Sequence, residues 1–477
     1  MIWIKKIIPH KLFRALQPAY HFILSALAAL VYGWPSEKLI VIGITGTTGK
    51  TTSLYLIAKM LASAGYKAGF TSTAMFSDGE KEWLNDKKMT MPGRFFTQKI
   101  LRAMVKNNCQ YALVETTSEG IKQFRHRFIN YDTLIFTGIY PEHIESHGSF
   151  LNYKKAKGEL FKHLKRGKIK YADNEKCVCL SDSGIKKIDL NRVKKVIIAN
   201  GDDKEVKYFL DFWAEEKIVY TKKGDLGLSK AEEIKYAEVV AGREGTSFSV
   251  NNRRQGHRQG GTSGASLKIN LKLLGEFNAT NATASVCVGL SEGLDMKKIK
   301  EGLENVAGVP GRFEKIEAGQ NFIVIVDYAF EPRALAKLYE TIDLIPHRKI
   351  IHILGSAGGG RDKARRAKLG KLAGRNADYI IITNEDPYDE DPQVIIDEVA
   401  KGVKKVSPSA GSGQNLFQIL DRREAIRKAL AMAKENDIVL ITGKGSEQAI
   451  CVADGKKIKW DDREVVREEL ERVSHNA

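Results

Sequence analysis

A segment rich in glycine and threonine contains the residues of this chain that are best suited to phosphate chemistry. Residues 40–53 read IVIGITGTTGKTTS, which is a short apolar run, a glycine turn, and a lysine followed by hydroxyl side chains. Backbone N–H groups of such a turn, backed by a helix N-terminus, bind phosphate oxygens, while Lys50 reaches the terminal phosphates and Thr51 ligates Mg2+. The pattern therefore predicts a nucleoside triphosphate site on a strand, a loop and a helix. Its loop residues are Gly46, Thr47, Thr48, Gly49, Lys50, Thr51 and Thr52.

The loop departs from the general phosphate-binding motif at one position. In G-x-x-x-x-G-K-[ST] the first glycine would fall at Ile44, whereas this chain has Gly43 and Gly46. The remaining G-K-T-T still favours nucleotide binding over a glycine turn that has no ligand.

The composition is that of a globular protein with more than one core. The chain has 477 residues, of which 43% are hydrophobic and 28% charged, so two or three domains are expected. A net charge of +18 indicates anionic partners, but the lysines are scattered through helical patterns, which favours a solvated surface over nucleic acid binding. The five cysteines are odd in number and lie mostly in apolar runs, which favours buried thiols in a reducing cytoplasm.

Residues 1–37 precede the first predicted strand and combine basic with apolar residues. Residues 19–33 form an apolar run of about fifteen residues, shorter than the roughly 20 that span a bilayer. No small-residue cleavage site follows the run, which argues against a signal peptide. Two interpretations stay open: a helix that packs on the next domain, which is favoured, or a helix in a membrane interface with its basic end toward acidic lipid.

Apolar runs alternate with helical patterns from residue 38 onward. The runs LIVIGIT, YALVETT, DTLIFTGI and VKKVIIAN predict a parallel sheet covered by helices. After a Gly/Pro break at residues 308–312, the pattern repeats with FIVIVDYA, KIIHILGSAG, ADYIIITNED and DIVLITGKGSE. We therefore expect an α/β protein with a central P-loop ATPase domain at residues 38–310, built on a mostly parallel sheet, and a C-terminal Rossmann-like domain at residues 311–477.

The region between residues 242 and 274 has a different pattern. GTSFSV and SLKINLKLLG alternate as antiparallel strands do, and residues 251–265 between them lack apolar anchors. This predicts a mobile, basic hairpin insertion. The loops after the four C-terminal runs should line one edge of a site, because ligands gather at the carboxyl ends of parallel strands.

Ordered motifs along the chain resemble those of the Mur ligase family, the ATP-dependent enzymes that add amino acids to the peptidoglycan precursor. The resemblance rests on GTTGKTT, YALVE, YPEHIESHG, AKGELF and later motifs, and it covers residues 38–477. The family loop also lacks the first glycine of the general motif, which accounts for Ile44. The resemblance implies that a substrate carboxylate attacks the γ-phosphate of ATP and that an amine then displaces phosphate from the acyl phosphate.

The resemblance implies a set of ligands for ATP and Mg2+. Glu115 matches a family position that binds Mg2+, His143 matches one that holds a second Mg2+, and Lys157 matches a lysine that is carbamylated and becomes an anionic metal ligand. Together with Thr51 they form the expected metal site, and together with Lys50 the expected catalytic group. Family positions around adenine, phosphate and ribose correspond to Asn278, Asn281, Arg312 and Asp327.

The resemblance also implies an acceptor site and an amino-acid site. In family members that add the third residue, the positions that bind the UDP-N-acetylmuramoyl dipeptide correspond to Thr90, Thr117, Gln123 and Arg125. The amino-acid positions correspond to Arg361, Glu385, Asp386, Pro387, Tyr388, Gly443 and Glu447. Tyr388 replaces the arginine that fixes the distal carboxylate of diaminopimelate, and acidic residues nearby suit an ammonium group. A diamino acid is therefore expected, and lysine or another diamino acid fits as well as diaminopimelate.

Two alternatives stay open at the level of sequence. The family carries a UDP-binding domain larger than residues 1–37, so the first alternative is a Mur-like ligase with another acceptor: a lipid-linked murein precursor, folylpolyglutamate or cyanophycin. The second is a nucleotide-dependent binding protein without ligase chemistry, because Phe330, Glu119 and Ser446 replace family histidines. Retention of Glu115 and His143 favours the ligase. The expected partners are small glycopeptide and amino-acid substrates, without nucleic acid, and membrane contact through residues 1–37 is left open.

Overall fold

The computed structural model of the chain contains one long helix followed by two α/β units. The structure describes residues 10–142, 144–173, 177–179, 190–224, 226–251, 266–360, 363–406 and 415–475. Two residues named from the sequence, His143 and Arg361, lie outside the described residues, as does most of the expected insertion at 251–265.

An eleven-stranded sheet forms the first α/β unit, in the order β14-β13-β12-β11-β10-β6-β1-β5-β2-β3-β4. The central strands of the sheet are parallel, since helices connect them, and the strands at both edges pair antiparallel. The strands are β1 Ile40–Thr45, β2 Ala68–Thr71, β3 Met75–Ser77, β4 Glu82–Leu84, β5 Tyr111–Glu115, β6 Thr133–Phe136, β10 Val196–Asn200, β11 Glu216–Thr221, β12 Glu232–Gly242, β13 Gly245–Asn251 and β14 Ser266–Leu271. A small sheet beside it contains β7 Lys170–Ala172, β8 Cys177–Cys179 and β9 Asn191–Val193.

Helices cover both faces of this sheet. Successive side chains of a strand point to opposite faces, so Ile42 of β1 enters one hydrophobic core and Val41 the other. All six residues of β1 are buried, which explains why its sequence is an unbroken apolar run. The helices are α1 His10–Tyr32, α2 Lys50–Ser63, α3 Arg94–Lys106, α4 Ser118–Lys122, α5 Ile144–His147, α6 Phe150–Leu164, α7 Val206–Leu210, α8 Phe277–Ser291 and α9 Met296–Glu304.

A six-stranded sheet in the order β15-β16-β20-β17-β18-β19 forms the second unit. It is parallel except for its edge strand β15. The strands are β15 Glu314–Ile316, β16 Ile323–Asp327, β17 Ile350–Leu354, β18 Tyr379–Ile382, β19 Leu416–Gln418 and β20 Ile438–Thr442, with a hairpin of β21 Ala449–Cys451 and β22 Lys457–Lys459 beside them. The helices are α10 Pro332–Ile342, α11 Ala364–Asn376, α12 Pro392–Lys404, α13 Arg422–Met432 and α14 Asp462–His475.

The expected α/β class with a large, mostly parallel sheet and a second α/β unit is confirmed. All eight apolar runs named from the sequence contain strands of the two sheets, and β13 and β14 pair antiparallel as expected. The predicted boundary between residues 310 and 311 falls in the segment between α9 and β15, and it stays a prediction.

The N-terminal helix α1 packs against α3, which confirms the favoured interpretation of its apolar run. Ser25 Oγ donates to the carbonyl of Phe124 at 2.9 Å and accepts from Arg94 Nε at 3.0 Å. Arg94 Nη2 also lies 2.6 Å from His21 Nδ1 and donates to the carbonyl of Gln123 at 2.6 Å. In the described part of the chain, no helix is long and apolar enough to cross a membrane.

Candidate active site

The phosphate loop runs between the end of β1 and the start of α2, as the sequence predicts. Gly46 (φ 157°) approaches a neighbouring loop so closely that an added Cβ would lie 2.0 Å from Thr137 Oγ1. Gly49 has a φ of 79°, which a side chain would strain, and caps the helix that follows. Both glycines are therefore required by the local geometry of a loop that leads into a helix N-terminus, which is a favourable place for an anion such as phosphate.

Lys50 is held at the front of this loop. Its amine donates to the carbonyl of Thr47 at 2.8 Å, and Thr137 Oγ1 donates to the carbonyl of Thr48 at 2.7 Å. Desolvation lowers the pKa of Lys50, while the nearby carboxylate of Glu115 opposes that shift. The amine of Lys50 therefore lies where a bound phosphate would stabilise its protonated form.

Glu115 lies between the phosphate loop and the residues that the sequence predicts to bind the acceptor. It ends β5 directly beside β1, and its Oε2 accepts from Thr51 Oγ1 at 2.8 Å. Thr73, which the sequence analysis did not single out, donates to Glu115 through its backbone N–H and its hydroxyl, both at 2.8 Å. The Thr73 hydroxyl also lies 2.8 Å from Thr90 Oγ1. A search for hydroxyl residues just after β2, the neighbour of β5, would have identified Thr73 as a candidate.

Lys157 projects from α6 to the back of the phosphate loop. Its buried amine donates to the carbonyl of Gly46 at 2.8 Å and lies 3.4 Å from Thr45 Oγ1. Desolvation holds the pKa of Lys157 well below its usual value, and the neighbouring charge of Lys50 lowers it further, against an opposing effect of Glu115. A neutral amine beside the loop is the form that carbamylation requires.

The residues expected to hold Mg2+ supply suitable oxygen atoms without a preassembled cage. Thr51 Oγ1 and the Glu115 carboxylate meet at the end of β1, and Mg2+ prefers oxygen ligands while keeping several waters. Within the described ranges, no three His, Cys, Asp or Glu side chains form a group that could hold a metal ion. Thr51 and Glu115 could therefore hold a Mg2+, which would neutralise negative charge on a bound phosphate.

One cavity of about 1200 Å³ lies between the two sheets and brings most of the sequence-predicted residues together. Gly46, Lys157 and Pro387 do not line it. The predicted residues that line it are Thr47, Thr48, Gly49, Lys50, Thr51, Thr52, Thr90, Glu115, Thr117, Gln123, Arg125, Asn278, Asn281, Arg312, Asp327, Glu385, Asp386, Tyr388, Gly443 and Glu447.

The predicted nucleotide residues surround the phosphate loop from α8 and from the second unit. Asn281 donates to Asn278 Oδ1 at 3.1 Å, and its own Oδ1 packs closely against Gly49. Arg312 Nη2 lies 3.3 Å from Thr51 Oγ1, with its guanidinium 4.3 Å from the centre of the Tyr328 ring. Arg312 thus brings a cation from the second unit to the phosphate loop.

Asp327 lines the cavity and is also hydrogen-bonded to the backbone. Its carboxylate accepts from the backbone N–H groups of Phe313 at 2.6 Å and Ala329 at 2.7 Å. Desolvation raises its pKa, and Arg312 opposes that shift. The side chain therefore fixes the segments on either side of β16 that face the nucleotide end.

Three of the four predicted acceptor residues, Thr117, Gln123 and Arg125, flank α4, and Thr90 lies in the segment before α3. Thr117 caps α4 by accepting from the N–H of Gly120 at 3.1 Å. Arg125 donates to Gln123 Oε1 at 2.7 Å and to the carbonyl of Met91. Arg125 and Gln123 are thus oriented as a pair, one presenting a cation and the other an amide to the cavity.

A buried charge network forms the opposite end of the cavity. Lys444 donates to Asp386 at 2.8 Å and to Glu447 at 2.9 Å, while Lys88 of the first unit donates to Asp386 at 2.8 Å and also to Glu447. Although desolvation opposes the charge, Glu447 and Asp386 raise the pKa of Lys444 above its usual value. Asp386 and Glu447 are predicted site residues, whereas Lys88 and Lys444 were not predicted from the sequence.

Glu385 faces the cavity beside this network without being part of it. Its Oε2 is buried and has no hydrogen-bond partner among the described residues, and an added Cβ on Gly443 would lie 2.5 Å from it. Desolvation and the neighbouring charge of Asp386 raise the pKa of Glu385. A buried carboxylate oxygen without a donor is a suitable acceptor for a ligand ammonium group.

Comparison with known proteins agrees with this arrangement. The Mur ligase middle domain matches residues 44–183, and the Mur ligase, glutamate ligase domain matches residues 311–445. The chain is 33% identical over 464 residues to the UDP-N-acetylmuramyl-tripeptide synthetase of Roseiflexus sp. (strain RS-1), covering 96% of this chain and 84% of the relative. It is 32% identical over 449 residues to the UDP-N-acetylmuramoyl-L-alanyl-D-glutamate--2,6-diaminopimelate ligase of Syntrophomonas wolfei, covering 94% and 81%.

A phosphate loop that shares one cavity with a second α/β unit, together with these matches, defines an ATP-dependent, ADP-forming ligase. The chain belongs to the Mur ligase family. The fold also resembles folylpolyglutamate synthase of Mycobacterium tuberculosis complexed with ADP and AMPPCP, with a TM-score of 0.62, 16% identity, and coverage of 89% of this chain and 92% of that one. The expectations of the family and of a ligase in peptidoglycan precursor synthesis are confirmed, in place of a binding protein without ligase chemistry.

Proposed function

We propose that the chain adds a diamino acid, as the third residue, to UDP-N-acetylmuramoyl-L-alanyl-D-glutamate. The observation that carries this proposal is the single cavity that joins the phosphate loop to the acidic group of Glu385, Asp386 and Glu447. The names of the relatives in Roseiflexus and Syntrophomonas support the same acceptor. The proposal also divides the chain into the N-terminal segment 1–37, the ATP-binding domain 38–310 and the C-terminal domain 311–477, acting in the cytoplasm.

The proposed reaction uses the two ends of the cavity in turn. A carboxylate oxygen of the acceptor attacks the γ-phosphorus of ATP, the bond to the β-phosphate oxygen breaks, and ADP leaves with that electron pair. The amine of the incoming amino acid then attacks the acyl carbon, gives up a proton, and displaces phosphate. Lys50 and Arg312 would counter the charge that spreads over the phosphate oxygens, and bound Mg2+ would neutralise further charge there.

The acceptor and the amino acid would approach from opposite sides. Thr90, Thr117, Gln123 and Arg125 would bind the dipeptide and its sugar phosphate next to Glu115. A second ammonium group on the amino acid would bind near Glu385, whose buried oxygen has no donor among the described residues.

We further propose that Lys157 is carbamylated and that its carbamate, with Thr51, Glu115 and His143, holds Mg2+. The neutral amine attacks CO2, a C–N bond forms, and one proton is released. Support comes from the buried position of Lys157 and its lowered pKa, because a protonated amine cannot attack.

Carbamylation is tested by mass spectrometry of the native protein and by NMR with isotope-labelled bicarbonate, in the presence of ATP and Mg2+. A carbamate signal should be present in the parent chain and in Lys155→Ala, an exposed lysine of the same helix. It should vanish in Lys157→Ala. An unmodified amine at Lys157 under these conditions would overturn the carbamate.

The reaction itself is tested by a phosphate-release screen. UDP-N-acetylmuramoyl-L-alanyl-D-glutamate is combined with lysine, diaminopimelate, ornithine and monoamino acids, and folylpolyglutamate, a cyanophycin primer and a lipid-linked murein precursor are tested as acceptors. We expect release with the UDP-linked acceptor and a diamino acid. Release with another acceptor alone would replace the proposed substrate, and the likeness to folylpolyglutamate synthase makes that acceptor the first to compare.

A pair of lysine variants of α2 controls the screen. Lys50→Ala should abolish phosphate release, because the loop loses the side chain beside the terminal phosphates. Lys59→Ala, which removes a partly exposed lysine paired with Glu82, should leave it unchanged. Turnover that survives Lys50→Ala would show that the nucleotide site has been misplaced.

A further inference from the structure

The exposed side of α1 is apolar, which is the reverse of the usual pattern for a helix on the surface of a protein. Ile23 is 62% exposed and Val31 60% exposed. Apart from Phe22, whose ring centre lies 5.2 Å from that of Phe128, the large exposed apolar residues described in this helix recur every three or four positions and therefore lie along one side of it. This apolar stripe contains Leu16, Tyr20, Ile23, Leu27, Leu30 and Val31.

The opposite side of α1 fixes the orientation of the stripe. Ser25, Ala28 and Ala29 are buried against the first α/β unit, and Ser25 is hydrogen-bonded to Arg94 and to the backbone after α4. A rotation of the helix that buried Leu27 and Leu30 would break the hydrogen bonds of Ser25 and turn Ser25 toward solvent. The apolar stripe is thus held outward by the packing of the helix itself.

Four cations lie next to the C-terminal end of the stripe. Lys38, Lys99, Arg102 and Lys106 line a groove of about 680 Å³ together with Leu30 and Val31. In the part of the chain that the structure describes, none of the four makes an ion pair within 4.0 Å.

We propose that the apolar stripe and these cations form a docking surface for an anionic phospholipid bilayer. An apolar face flanked by unpaired cations matches the boundary between acyl chains and negative headgroups. Since no described helix is long and apolar enough to cross a membrane, the stripe lies in the interface. A second copy of the chain would supply no anionic partner from this patch for the four cations, whereas an anionic bilayer supplies one.

Binding is measured by flotation of the full chain with vesicles of phosphatidylcholine alone and of phosphatidylcholine mixed with phosphatidylglycerol. We expect the chain to float with the anionic vesicles and to remain in solution with the neutral ones. High salt should weaken the binding, because exposed charges are screened. Equal binding to both vesicles, or to neither, would overturn the proposal.

Two variants separate the contributions. Replacing Lys99, Arg102 and Lys106 by glutamine should weaken binding by about fivefold per charge removed. The matched control replaces three exposed lysines elsewhere, namely Lys297, Lys298 and Lys368. Should the control weaken binding as much as the groove variant, the attraction would belong to the overall charge of the chain and the docking surface would be wrong.

The second variant, Leu27→Gln with Leu30→Gln, should weaken binding by about tenfold because it removes apolar area that enters the interface. Its control is Leu420→Gln with Ile458→Gln, two exposed aliphatic residues of the second unit. None of these residues lines the active-site cavity, so ligase activity without vesicles shows that each variant is folded. A concentration-dependent dimer that the leucine variant abolishes, without vesicle binding, would assign the stripe to self-association instead.

Discussion

The two ends of the active-site cavity are built in different ways. At the phosphate end, Gly49, Lys50 and the short hydroxyl side chains of one continuous loop line the cavity, with Glu115 from the adjacent strand. At the amino-acid end, four charged side chains from three separate segments contact one another across the two units. The phosphate end depends on consecutive residues and tolerates few substitutions. At the amino-acid end, substitution of a single residue can alter the specificity.

The largest effect is expected from the carboxylate of the phosphate end. Glu115→Gln keeps the shape and most hydrogen bonds to Thr51 and Thr73 but removes the negative charge. We expect turnover to fall by about 10³-fold, as for other single electrostatic groups of an active site, with a higher Mg2+ requirement. Steady-state rates over a Mg2+ titration measure both, and Glu82→Gln, an exposed carboxylate paired with Lys59, serves as the control. An unchanged Mg2+ requirement would remove Glu115 from the metal site.

The amino-acid end should instead respond in stability. Lys444→Met leaves Asp386 and Glu447 buried with one cation fewer, and breaking such a buried pair costs about 3 to 5 kcal/mol of unfolding free energy. Lys88→Met should cost less, because Lys444 donates to both carboxylates and also to the carbonyl of Ala449 at 2.6 Å, whereas Lys88 donates to the two carboxylates. Denaturant unfolding measures both variants, with the exposed Lys456→Met as control. Equal losses for Lys88 and Lys444 would show that the network does not centre on Lys444.

Because of His352, we expect the second unit to become less stable as the pH falls. This buried histidine lies 2.7 Å from Tyr339 Oη and 2.9 Å from Thr442 Oγ1, and desolvation lowers its pKa to about 3. Below pH 6.5 the unfolded chain binds a proton that the folded chain does not, so the free energy of unfolding falls as pH falls toward 3, by about 1.4 kcal/mol per pH unit. In His352→Gln, a plot of the free energy of unfolding against pH should lack this contribution of about 1.4 kcal/mol per pH unit. An identical pH dependence in the variant would contradict the lowered pKa.

The smallest effect concerns specificity. Tyr388→Arg restores a guanidinium at the amino-acid end, and a charge-assisted hydrogen bond should raise kcat/KM for diaminopimelate relative to lysine by about tenfold. Competition between the two amino acids in the phosphate-release assay measures the ratio, and Tyr388→Phe, which adds no charge, should not change it. If the arginine variant leaves the ratio unchanged, Tyr388 does not face the distal group of the amino acid.

The contrast between the two ends also explains what the sequence can predict. The phosphate loop is predictable because its chemistry lies in consecutive residues, and Glu115 because it ends a strand beside that loop. Lys88 and Lys444 were missed, since Lys88 lies 298 positions from its partner Asp386 and no local pattern distinguishes it from a surface lysine. Thr73 was missed because its role depends on which strand neighbours β5. The outward apolar face of α1 could not be predicted either, since the sequence shows an apolar run but not which side of it is buried.

The hydrogen bonds of Glu115 have a thermodynamic consequence. One carboxylate accepts from Thr51, next to the phosphates, and from Thr73, whose hydroxyl contacts Thr90 on the acceptor side. A cation that binds the Glu115 carboxylate would compete with the hydroxyl groups of Thr51 and Thr73 for its oxygen atoms. Binding of the nucleotide and its cation would therefore change the free energy of acceptor binding. Such coupling is reciprocal: if the nucleotide changes the affinity for the acceptor by a given factor, the acceptor changes the affinity for the nucleotide by the same factor.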